Sequence, residues 1–66
     1  MKITINGEKR EIPEEMDLGG LLELLSMPTE RVAVELNRRV VKRSEWTAEK
    51  VSEDDRIEII HFVGGG

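Results

Sequence analysis

The sequence has no cysteine and no glutamine, and its only histidine, tryptophan and phenylalanine are His61, Trp46 and Phe62. Without cysteine there are neither disulfides nor thiolate metal ligands, and one histidine does not assemble a zinc site. No apolar run approaches the ~20 residues of a membrane-spanning helix. The opening segment Met1 to Asn6 alternates like a strand and does not resemble a secretory signal, so a cytoplasmic protein is expected. Absent too are any Ser/His/Asp or Cys/His constellation, a phosphate-loop spacing, and a pair of acids suited to burial together. With 66 residues the chain makes one domain. Below roughly 70–80 residues a core supplies only a few kcal/mol, too little to enclose a private active site. The 14 acidic against 10 basic residues give a net charge of -4, which opposes attraction to nucleic-acid phosphates and suits a basic protein surface. Charged residues make up 36% of the chain, a bias found in proteins from hot environments.

What is present is strong periodicity. Met1, Ile3 and Ile5 alternate with Lys2, Thr4 and Asn6 as in a half-buried strand. Asn6-Gly7 is a hairpin signal, because both central positions of a type I′ turn need positive φ. The return strand, Glu8 to Ile12, is mostly charged and belongs at a sheet edge. After Pro13, Asp17 is placed to cap a helix in which Leu18, Leu21, Leu22 and Leu25 recur at helical spacing, with Met27-Pro28 ending it. Gly19 and Gly20 in its first turn are read as allowing close approach to the sheet.

Val32, Val34 and Leu36 make a third strand. A turn at Asn37-Arg38-Arg39 leads to Val40-Val41, and Ser44 to Thr47 reads as a capped single helical turn with Trp46 plugging the core. Glu53-Asp54-Asp55 is an acidic turn before a last strand opened by Arg56. The order strand, strand, helix, strand, strand, strand predicts an α+β fold. It is the ubiquitin-like β-grasp, a mixed sheet of four to five strands with one helix across one face and the first and last strands parallel.

The last strand and the residues after it carry the functional signal. With Ile57 and Ile59 turned to the helix, Glu58, Ile60 and Phe62 fall on the open face, while His61 and Val63 follow the inward set near the rim. Ile60 and Phe62 therefore form an apolar patch for docking, with Glu58 beside them. They stand next to Gly64-Gly65-Gly66, a run expected by chance roughly once in three thousand. Glycine has no Cβ, so such a tail threads a narrow channel and presents the Gly66 carboxylate to another protein's active site. The expected division is a β-grasp domain over residues 1–63 and a flexible glycine tail over 64–66.

A carboxylate ionised at neutral pH is a poor electrophile. Conversion to an acyl-adenylate with ATP on a partner enzyme makes it reactive, and a sulfur nucleophile that displaces AMP leaves a thiocarboxylate at Gly66. The chain is expected to be a protein substrate and sulfur donor, not an enzyme, with no cofactor of its own.

Asn6-Gly7, the helix leucines, the block Val32 to Trp46 (VAVELNRRVVKRSEW), the acidic turn before RIEIIHFV, and the terminal glycines together resemble the small sulfur carrier proteins of thiamine thiazole biosynthesis. The resemblance covers nearly the whole chain, and Arg43-Ser44-Glu45-Trp46 and the ending are its most specific parts. It implies that Gly66 is adenylated by a ubiquitin-activating-like adenylyltransferase using ATP and Mg. A thiocarboxylate then forms with cysteine-derived sulfur, and a monomeric carrier docks on thiazole synthase. Gly64 and Gly65 give access for the tail, while Arg38, Arg39 and Val40 receive no role. Competing readings are a molybdopterin synthase small subunit, a ubiquitin-like modifier that forms isopeptide bonds, and an RNA-binding β-grasp module with an inert tail.

Overall fold

Ile3 and Ile5 are buried and Lys2 is exposed in β1 (Lys2–Ile5) of the computed structural model of the chain, which describes residues 1–62. Asn6 and Gly7 adopt φ of 50° and 84°, and the chain returns antiparallel as β2 (Glu8–Glu11), exposed along its whole length. Ile12 falls just outside this strand. It is buried, and its N–H donates to the Met1 carbonyl.

The helix α1 (Leu18–Leu24) starts where the sequence places it. Asp17 is extended and its carboxylate accepts from the Gly20 N–H at 2.7 Å, satisfying one of the orphan donors of the first turn. Leu18, Leu21 and Leu22 are buried and Leu25 packs against the same cluster. The end comes earlier than Met27-Pro28. Ser26 takes φ of 55°, its N–H donates to the Glu23 carbonyl, and the Met27 N–H reaches back to Leu22. This pair of bonds is a Schellman motif closing the helix at Leu25, with serine where glycine is usual.

Gly19 does approach a neighbour closely, but not the main sheet. A Cβ there would lie 3.3 Å from the Asp17 carboxylate and 3.4 Å from the Thr47 methyl, and the Gly19 N–H donates to the Trp46 carbonyl. Directly before the helix, β3 (Met16–Asp17) pairs antiparallel with β6 (Lys50–Val51), a small second sheet that the sequence reading does not contain.

The second hairpin joins β4 (Val32–Leu36) to β5 (Arg39–Val41). Its turn is Asn37-Arg38 alone, with φ of 51° and 69°, so Arg39 belongs to the strand and pairs with Leu36. The turn after it is a 3-10 helix over Arg43–Glu45, entered through Lys42 without any side-chain cap, so Ser44 does not cap it. Trp46 is buried as expected, with Nε1 donating to the Val41 carbonyl at 3.0 Å. Arg43 lies over its ring, 5.8 Å from the centroid, and donates to the Thr29 carbonyl.

The last strand, β7 (Arg56–His61), is the middle of the sheet, whose order is β2-β1-β7-β4-β5. It runs parallel to β1 and antiparallel to β4. Leu18, Leu21 and Leu22 are buried in one cluster with Ile3, Ile57, Ile59, Val34, Leu36 and Val41 from four strands. This is the α+β, ubiquitin-like arrangement with one helix and a five-stranded mixed sheet. No helix among the described residues is long and apolar enough to cross a membrane.

Candidate docking face

Both asparagines of the hairpin turns reach β7. The Asn6 amide accepts from the Ile59 N–H at 2.7 Å and donates to the Ile59 carbonyl at 3.2 Å, acting as one more rung of the β1–β7 ladder. Asn37 does the equivalent at the start of the strand. Its N–H donates to the Arg56 carbonyl at 2.7 Å and its side-chain oxygen accepts from the Arg56 N–H at 2.9 Å. Asp55 completes this corner, accepting from the Asn37 amide and from the Ser52 N–H. The acidic turn is therefore more than a solvated loop. Satisfying backbone groups at the start and in the middle of a half-buried strand removes the cost of leaving them unpaired and fixes its register.

With the register fixed, the alternation on β7 is unambiguous. Ile57 and Ile59 are buried, whereas Glu58 is exposed, Ile60 is 48% exposed and Phe62 56%. His61 pairs with Val32 and is exposed at the rim. The Phe62 N–H donates to the Arg31 carbonyl at 2.8 Å, beside the start of β4. Val63 and the glycines expected to hold the chemistry, Gly64, Gly65 and Gly66, lie outside the described residues.

Ile60 stands opposite Ala33 and Glu58 opposite Glu35 in the β4–β7 ladder, and Glu35 in turn stands opposite Val40 on β5. Val40 is 66% exposed. The open face thus holds one apolar row, Ile60 and Ala33, beside a second row of Glu58, Glu35 and Val40. Val40, to which the sequence reading attached no role, belongs to this face. Its signal was the buried neighbour: once Val41 points to the helix, the strand alternation sends Val40 outward. Among the described residues no group of three or more histidines or acids is placed to hold a metal ion.

Comparison with known proteins gives the family. The model of the ThiS family matches residues 3–66. A crystal structure of the thiamine biosynthesis protein ThiS from Geobacter metallireducens superposes with a TM-score of 0.89 at 35% identity, covering 100% of both chains. The sulfur carrier protein ThiS of Bacillus subtilis is 30% identical over 67 residues, covering 97% of this chain and 98% of that protein. A thiazole synthase of Magnetococcus marinus is 47% identical over 66 residues, and there this chain covers only 20% of the relative's length. Family model, structural match and full-length relative agree, so the chain belongs to the ThiS family, the sulfur carriers of thiamine biosynthesis, in a ubiquitin-like β-grasp fold.

Proposed function

We propose that this protein carries sulfur on Gly66 for the making of the thiamine thiazole ring. A partner adenylyltransferase uses Mg-ATP to convert the Gly66 carboxylate to an acyl-adenylate, releasing pyrophosphate. Sulfide derived from cysteine attacks the acyl carbon as HS⁻, AMP leaves, and Gly66 becomes a thiocarboxylate once the S–H proton is lost to water. A carboxylate oxygen attacks the α-phosphorus of ATP, and the resulting mixed anhydride with AMP supplies the leaving group that the free carboxylate lacks; that oxygen departs with AMP in the second step.

The observation that carries the reading is the meeting of two features at one end of β7. Ile60 and Phe62 are exposed on the open face, and the run Gly64-Gly65-Gly66 follows directly. A large exposed aromatic beside an aliphatic side chain is the composition of an interface centre. Glycines beside it admit the chain into a channel too narrow for side chains. Chemistry is thus assigned to Gly66, access to Gly64 and Gly65, and docking to Ile60, Phe62 and Glu58. Support for thiazole synthase as the acceptor comes from the Magnetococcus protein of that name, whose longer sequence includes a segment similar to this whole chain.

The test is intact-protein mass spectrometry after incubation with the cognate adenylyltransferase, Mg-ATP and a cysteine-derived sulfur source, beside a variant lacking Gly66. A mass gain of one oxygen-for-sulfur exchange, absent in the variant, is the expected result. An unchanged mass with active enzymes overturns the carrier reading, and conjugates to lysine would replace it with a modifier.

A further inference from the structure

We infer that Glu35 and Glu58 form a receptor for one arginine side chain of the adenylating enzyme. The inference rests on the docking reading above and adds the charge that the partner must present. The two glutamates are directly opposed in the β4–β7 ladder. Like charges in that position repel, and free folded proteins seldom gain from them. Among the described residues neither carboxylate has a side-chain hydrogen bond or an ion pair: the ion pairs join Met1 to Glu11 and Arg39 to Glu49. Arg56 lies two residues before Glu58 on the same strand, yet it pairs with neither glutamate.

The surroundings select the occupant. Ala33 and Ile60 form the next row on one side, and Val40 stands at the far end of the acidic row. A partner seated on those apolar groups excludes water from the carboxylates, and an ion pair formed in that drier setting is stronger than one in bulk solvent. A guanidinium suits it better than an ammonium. It is planar, weakly hydrated, and carries five donors in a fork that can serve two carboxylates at once. The net charge of -4 reinforces the choice through long-range attraction. The pair therefore destabilises the free carrier slightly and strengthens the complex, so removing it moves stability and binding in opposite directions.

The experiment is pyrophosphate exchange by the cognate adenylating enzyme, with wild type, the double variant Glu35→Gln/Glu58→Gln, and Phe62→Asp as carriers. For the double variant the KM is expected to rise about tenfold or more, the scale of a lost interfacial charge pair, with kcat unchanged and a weaker dependence on salt. Its melting temperature is expected to equal or exceed that of wild type. A wild-type KM in the double variant overturns the receptor while leaving the docking reading intact, provided Phe62→Asp is impaired. A raised KM together with a lowered melting temperature also overturns it, because the glutamates would then act through the fold. Normal exchange by Phe62→Asp as well removes the docking face itself, and no exchange by wild type removes the proposed function. Concentration-dependent dimers of wild type that dissolve on Glu→Gln exchange would assign the face to a second copy and overturn the arginine receptor.

Discussion

The two sides of β7 are built from the same six residues and have opposite tasks. Toward the helix, Ile57 and Ile59 are buried among leucines and valines of the core. Toward the outside, Glu58 and Ile60 are exposed beside half-buried Glu35 and Ala33, with no element laid over them among the described residues. One side supplies the apolar burial that a domain of this size depends on, and the other adds little burial to the fold. A period of two lets one strand do both, since a substitution on the outer side leaves the inner one in place.

Ile57→Ala should separate the sides most forcefully. Truncating a buried isoleucine costs about 2–5 kcal/mol, a large part of what so small a core provides, and urea unfolding should show much of the variant unfolded in water. Adenylation would then fall because the outer face disappears with the fold. Asn6→Ala is expected to come next, at about 1–3 kcal/mol, because it leaves the Ile59 N–H and carbonyl without the side-chain amide. Its mark is faster amide exchange at Ile59 with little change in β4 and β5.

Arg38→Gly works the other way. Arg38 holds φ of 69° in a tight turn, where glycine carries no steric penalty, and thermal melting should show a gain of about 0.5–1 kcal/mol. Recognition should not change, so a shift in KM would tie the turn to docking. Phe62→Asp should move stability least, within about 0.5 kcal/mol as for other exposed positions. It should nevertheless weaken adenylation, and normal adenylation removes Phe62 from the docking face.

The regular elements were legible because alternation and helical spacing carry them: β1, β4 and β7 lie where the isoleucines and valines alternate, and the helix where the leucines recur. Asn6-Gly7 and the Asp17 cap were legible because their chemistry is local. What escaped was set by contacts distant in sequence. β3 and β6 have two residues each, too few to show a period, and they exist because residues 16–17 and 50–51 are brought together by α1 and Trp46. The helix ends at a serine in a left-handed conformation that glycine would have advertised. The rungs from Asn6 and Asn37 to β7 join residues 53 and 19 positions apart. On the open face, the outward placement of Glu58, Ile60 and Phe62 follows from the strand period. Val40 and Glu35 needed the register of three strands.

That register has a consequence for when the carrier becomes recognisable. The apolar row comes from β7 and β4, and the acidic row from β7, β4 and β5. Neither exists until β7 has inserted between β1 and β4, a pairing of distant segments that forms late compared with local hairpins. A partner that required both rows would therefore be testing whether the sheet is complete. Under the proposed function, an adenylating enzyme that reads both rows would spend ATP on folded carriers and pass over chains whose sheet is not yet closed.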